Sequence, residues 1–165
     1  MAMQAAVIYY SATGSCAIAA KALAGKLGAS LVELKERKQK DYSHVNASFM
    51  FAGMRAVLGL GARLEGQPWK DASAADELHI VFPIWASKPA PAVNTFLRRY
   101  DFTGKRVVLY SVQADPNDTA KPTREKLAEK IKARGGSIAA TYYLLGGGPG
   151  KEPRAELAEE ILRLS

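Results

Sequence analysis

Apolar residues fall into short runs rich in β-branched and aromatic side chains, separated by longer stretches in which they recur every three or four positions. The runs at 5–10 (AAVIYY), 30–34 (SLVEL), 77–82 (ELHIVF), 105–112 (KRVVLYSV) and 137–145 (SIAATYYLL) predict strands. Between them Ile18, Ala19, Ala22, Leu23 and Leu27 mark one helical face, and Val93, Phe96, Leu97 and Tyr100 mark another. Leu127, Ala128 and Ile131 form a third stripe, and Leu157, Ala158, Ile161 and Leu162 a fourth. Strands that are apolar almost throughout and alternate with helices predict a parallel sheet covered on both faces. The expected fold is a doubly wound α/β domain with a five-stranded parallel sheet, a single domain over residues 1–165 without repeats, low-complexity segments or linkers.

One stretch breaks the alternation. Residues 35–76 are long for one connection, and within them 48–60 (SFMFAGMRAVLGL) places Met50, Met54, Val57 and Leu58 on one helical face, interrupted by Gly53, Gly59 and Gly61. The expectation is a helix between loops whose apolar face covers the sheet; the alternative is a lid over a ligand.

Composition narrows the function classes. With 48% apolar and 24% charged residues in 165, the chain has ample material for one core. Cys16 is the sole cysteine, so neither an internal disulfide nor a cysteine zinc site is available, and a reducing compartment is expected. The start MAMQAAVIYY has no basic leader pattern and no apolar run is long enough to cross a bilayer, so the expected location is the cytosol, with no transmembrane segment. The net charge of +7 is spread over 35–40 (KERKQK) and over 118–134, neither interleaved with aromatics. Solvated faces are therefore expected rather than nucleic-acid binding. His44 and His79 fit no triad with Ser or Cys, and His79, inside an apolar strand, reads as a core residue.

In an open parallel sheet ligands bind beyond the carboxyl ends of the strands. After the first strand come Ser11, Ala12, Thr13, Gly14, Ser15 and Cys16, then a helix. Hydroxyls, a glycine for a tight turn and the unpaired first amides of the helix make a phosphate cradle. The same residues also suit an ordinary capped turn. There is no GxxxxGK[ST] spacing and no cation in the loop, so one terminal phosphate is a better guest than a triphosphate. The third strand runs into Pro83, Ile84, Trp85, Ala86 and Ser87, where Trp85 offers a wall for a flat heterocycle. The fourth ends in Val112, Gln113, Ala114 and Asp115, a source of amides and carbonyls for a ring edge. Acidic residues after the first strand are missing, which excludes a phosphoryl-accepting receiver, and so is GxGxxG, which excludes that dinucleotide fingerprint.

Taken together, Tyr-Ser-Ala-Thr-Gly-Ser before a helix, Phe-Pro-Ile-Trp at the third strand, and Phe-Leu-Arg-Arg-Tyr-Asp-Phe-Thr-Gly-Lys-Arg-Val-Val-Leu-Tyr leading into the fourth resemble the flavodoxin family over essentially the whole chain. The resemblance implies strand order 2-1-3-4-5 and noncovalent FMN, with Ser11 to Cys16 as the phosphate loop. Pro83 to Ser87 would be the first ring loop and Val112 to Asp115 the second, with Trp85 stacked on the ring and the Ala86-Ser87 peptide nearest its N5. Two departures stand out. Ser15 and Cys16 replace an Asn and a Thr usual in the family, which is expected to weaken phosphate binding, and Cys16 at a helix start has the position of an activated thiol. Its expected role is nevertheless structural, or to present its amide, because position 22 is Ala where a phosphatase would need Arg. The second ring loop lacks an aromatic, leaving one ring face open unless Tyr110 or the 48–60 helix supplies one. No Gly lies between Pro83 and Pro91, so positive φ at Ala86 or Ser87 is expected to be resisted.

The resemblance implies an electron carrier whose partner is a redox protein or a small electron acceptor, and the net charge of +7 makes an acidic partner the expectation. The alternative is an FMN-dependent NAD(P)H, quinone or protoporphyrinogen-type oxidoreductase, and a third reading is a cofactor-free interaction module on the same fold.

Overall fold

The structure is a computed structural model that describes residues 3–38, 42, 44–146, 148 and 151–165. Gln39 and Lys40, part of the basic run at 35–40, lie outside the described residues.

Alternate residues of the apolar strands separate two cores. Ala6, Ile8, Leu78, Ile80, Phe82, Val107 and Leu109 face one layer, while Val7, Tyr9, Val81, Val108, Tyr110 and Val112 face the other. The strands are β1 (Ala5–Tyr9), β2 (Ser30–Glu33), β3 (Glu77–Trp85), the two-residue β4 (Lys88–Pro89), β5 (Arg106–Gln113) and β6 (Ser137–Leu145). Their order is β2-β1-β3-β5-β6, all parallel, with β4 antiparallel to β3. The five long strands thus keep the expected 2-1-3-4-5 order.

Helices cover both faces. On one, α1 (Ser15–Leu27) and α6 (Leu157–Leu164) bury Ala19, Ala20, Leu23, Leu157 and Ile161 against β1 and β5. On the other lie α2 (Ala47–Val57), the short α3 (Pro68–Asp71), α4 (Pro91–Arg99) and α5 (Lys121–Ala133). Phe96, Tyr100 and Phe102 stack there in sequence, with ring centroids 5.1 and 4.9 Å apart. Burying one such aromatic contributes about 1.5–3 kcal/mol.

Three sequence expectations are corrected. Pairing does not stop at Phe82: Pro83 pairs with Val112 of β5, and Ile84 and Trp85 pair with Pro89 and Lys88, so Pro83–Trp85 are strand and only Ala86 and Ser87 form a turn. In α2 the buried positions are Ala52 and Ala56, and the Met50, Met54, Val57 and Leu58 face is exposed, Met50 by 68%. Ala52 and Ala56 join the core on this side, and the larger side chains are turned outward. Within 118–134, Arg124 is not solvated: it is 4% exposed, pairs through both guanidinium ends with Asp118, and donates to Ser111 Oγ at 2.8 Å.

His79 is the core residue expected, buried between Tyr110 OH at 3.1 Å from Nδ1 and Glu77 Oε1 at 2.8 Å from Nε2. Burial lowers its pKa from the ordinary 6.5; the hydrogen bond and charge of Glu77 oppose this and Arg106 adds to it. The folded chain therefore holds His79 neutral at pH values where the unfolded chain protonates it, and stability present above pH 6.5 is lost as the pH falls. The melting temperature should drop between pH 7 and pH 5.5, and His79→Asn should flatten that drop. An equal slope in both proteins would refute the assignment.

Candidate functional site

The turn from β1 into α1 is built around one hydroxyl. Ser11 Oγ accepts the Gly14 amide at 3.1 Å and the Ala17 amide at 3.2 Å, filling the capping role from three residues ahead of Gly14, the residue at the N-cap position. Gly14 makes this possible with φ 101°, and a Cβ there would lie 2.8 Å from Pro153 Cγ. The amides of Ser15 and Cys16, at the first positions of α1, have no intrahelical acceptor, and they stand at the positive end of the helix dipole. Ser15 Oγ is buried without a hydrogen-bond partner. Such an orphaned hydroxyl costs about 1–3 kcal/mol and marks a group waiting for an acceptor or donor. Cys16 is buried and its thiol pKa is pushed well up by desolvation, so the activated-thiol position is overruled by burial.

Beside this turn lies a cavity of about 130 Å³ at the carboxyl ends of β1, β3 and β5. Ser11, Ala12, Thr13, Ser15 and Cys16 line it from the first loop. Pro83, Ile84, Trp85 and Ala86 line it from β3 and its turn, and Val112, Gln113 and Ala114 from β5. Gly14, Ser87 and Asp115 lie on the same three loops without lining the cavity. Asp115 is turned outward, its Oδ1 accepting the Asn117 amide at 2.9 Å. The Gln113 side chain donates to the Asp115 and Asn117 carbonyls at 3.2 and 2.8 Å, leaving its Oε1 buried without a partner. No Asp, Glu, His, Lys or Arg is among the described residues of this wall.

Trp85 lines the cavity but is only 8% exposed. Tyr10, Tyr42 and Phe49 pack around it at 5.8, 5.2 and 5.8 Å between centroids. The candidate wall is thus a tilted aromatic cluster rather than one free ring. Tyr110 does not reach the cavity: it lies in the opposite core, bonded to His79. Of the two sources considered, the 48–60 helix is the one that brings an aromatic to the cavity, Phe49 of α2, and Gly148 also lines it. The sequence named the helix but not Phe49 within it, and did not single out Gly148. The glycine run 146–148 was a usable signal, because a Cβ at Gly146 would lie 2.3 Å from Val112 Cγ1 and 3.5 Å from Ser15 Cβ. Phe49 had no signal of its own, since its approach depends on how α2 is seated.

These loops and this topology have a counterpart in the family comparisons: a family model described as Flavodoxin matches residues 4–137. The chain belongs to the flavodoxin family. Among solved structures, a candidate flavoprotein from Bacteroides eggerthii is 17% identical, with TM-score 0.73 over 99% of this chain and 96% of that one. A flavoprotein in complex with FMN from Lactobacillus acidophilus is 18% identical, with TM-score 0.62 over 86% and 93%. Oxidised flavodoxin 1 from Bacillus cereus is 14% identical, with TM-score 0.59 over 98% and 93%. No curated protein matches the chain. At these identities the structural likeness establishes a flavodoxin fold. Among the described residues no helix is long and apolar enough to cross a membrane.

The turn after β3 departs from the expectation of resisted positive φ. Ala86 and Ser87 sit at φ 47° and 62°, closing a two-residue hairpin in which positive φ is required at both central positions. Each non-glycine residue there costs about 1–2 kcal/mol. The turn is held regardless by β4 and by Thr123 Oγ1, which donates to the Ser87 carbonyl at 2.5 Å. Ser87→Gly should relieve the strain at some cost in unfolded-chain entropy, a net gain of about 0.5–1 kcal/mol. Denaturant unfolding checks this, and a loss of stability would contradict the strained turn.

Proposed function

We propose that the chain binds FMN noncovalently in this cavity and works as an electron carrier. The observation that supports it most is the orphaned Ser15 hydroxyl in the cavity wall, next to the free first amides of α1. Together they suit a phosphate, which helix termini hold without a cation. Ser11 would serve as the frame, its hydroxyl already committed to the Gly14 and Ala17 amides, while Thr13 and Ser15 donate. Gln113 Oε1 would accept from a ring N–H, and the Trp85 and Phe49 edge would back the ring. A cavity of about 130 Å³ is below the roughly 300–1,000 Å³ of pockets that enclose a whole ligand, so part of the ring would stay open to a partner. Bound FMN would supply the redox chemistry by taking up and releasing electrons. Among the described residues the wall offers polar groups but no acid, base or cation, and this favours a carrier over an enzyme that must move protons for a second substrate.

Flavin fluorescence titration tests the cofactor. FMN should bind much more tightly than riboflavin. Ser15→Ala should weaken FMN binding by about 1.5–3 kcal/mol while stabilising the flavin-free chain by about 1 kcal/mol, because the same hydroxyl is unsatisfied without phosphate. Equal affinity for the two flavins would overturn the phosphate assignment.

Turnover separates carrier from enzyme. With NADPH or NADH and a quinone under air, the FMN-loaded protein should show only background oxidation. Saturable turnover that disappears on removing FMN would assign it to the oxidoreductases instead.

A further inference from the structure

Four cations line a second concavity, beside the segment that follows β2. Arg37, Lys38, Arg55 and Arg63 line a cavity of about 490 Å³, with Phe51 and Tyr42 in its wall. The two sides are tied by a short antiparallel pairing: Glu36 bridges Leu64, the Arg37 amide donates to the Arg63 carbonyl at 2.9 Å, and the Glu65 amide to the Lys35 carbonyl at 2.8 Å. Two of the cations are held in place. Arg55 donates to the Gly61 carbonyl, and Arg37 Nε donates to the Leu64 carbonyl at 3.3 Å. A guanidinium has five N–H donors, and each of these two bonds uses only one of them.

The described residues of the wall carry four cations against one carboxylate, so they keep an excess of positive charge. Glu36 is its one carboxylate among the described residues, and its Oε1 accepts the Tyr10 hydroxyl at 2.8 Å. Among the described residues none of the four cations lies in an ion pair. An adjoining cavity of about 480 Å³ shares Arg55 and Arg63 and adds Arg98 and Arg99. Charge of one sign concentrated in a concave site raises the local concentration of anions. Phe51, 49% exposed at the cavity wall, adds an apolar ring face.

We propose that this cavity binds a nucleoside phosphate carrying at least two phosphate groups. Arg55, Arg63, Arg37 and Lys38 hold the phosphates, and Phe51 packs against the base. Forked guanidiniums match phosphate oxygens in pairs, and base–aromatic packing adds to that. A volume within the range of small-ligand pockets favours a small molecule over the flatter contact of an acidic protein. The site goes beyond the flavin reading and shares none of the residues that line the strand-end cavity.

Calorimetric titration of the whole chain with ADP, adenosine and pyrophosphate tests it. ADP should bind, pyrophosphate about tenfold more weakly, and adenosine at least a hundredfold more weakly. Arg63→Gln and Lys38→Ala should each weaken ADP about tenfold, whereas Phe51→Ala should weaken ADP and leave pyrophosphate unchanged. Circular dichroism checks that each variant is folded, and the Arg63 and Lys38 variants avoid the Arg55 anchor. Binding of ADP should persist with FMN at saturation, so failure here is distinct from failure of the flavin assignment; if no FMN binds, the ADP titration stands alone. Absence of ADP binding at about 1 mM would overturn the proposal, leaving an acidic macromolecule as the occupant. So would equal affinity for ADP and pyrophosphate, indifference to Arg63→Gln, or displacement of ADP by FMN.

Discussion

A parallel sheet that is apolar on both faces must be covered on both, and the rest of the molecule follows from that constraint. Ile8, Ile80 and Leu109 need α2, α4 and α5, while Val7, Val81 and Val108 need α1 and α6. With both faces taken, backbone groups remain accessible mainly at the strand ends. The three loops that follow β1, β3 and β5 then share one small space. The site is a by-product of layer packing before it is anything chemical.

What those loops do with the space is unusual in its charge. The strand-end cavity has polar atoms held by geometry rather than by counter-ions: free amides at the start of α1, a buried hydroxyl at Ser15 and a buried amide oxygen at Gln113. Cations stand elsewhere, on the strip joining residues 36–38 to 62–64 and on α2 and α4. The separation is physically reasonable. A helix terminus stabilises an anion without adding a side chain whose own desolvation must be offset. A guanidinium at the rim keeps most of its hydration and acts through the field.

Strain has a similar division. Gly14 takes a positive φ without penalty at the first loop, but Ala86 and Ser87 take it with a penalty after β3. The hairpin persists because pairing of Trp85 with Lys88 and the hydrogen bond from Thr123 fix both ends of a two-residue turn. Local conformational preference is a matter of about 1–2 kcal/mol per residue and yields to a few such restraints.

Much of this was legible in the residues themselves. Periodicity located five strands and the helices, because a buried sheet writes an apolar run and a covering helix an amphipathic stripe. The flavodoxin order and the first loop were legible in Tyr-Ser-Ala-Thr-Gly-Ser, whose glycine and hydroxyls have narrow uses. The rest depended on contacts between distant segments. Whether α2 buried its methionines or its alanines turned on which segments it meets in space, and it is Ala52 and Ala56 that join the core. Whether Trp85 stood free turned on Tyr10, Tyr42 and Phe49, three residues from separate segments. Cys16 has the local position of a reactive thiol, and only burial in the core beneath α1 raised its pKa. Local chemistry is written in neighbours along the chain, whereas burial, shared walls and orphaned polar atoms are decided by neighbours in space.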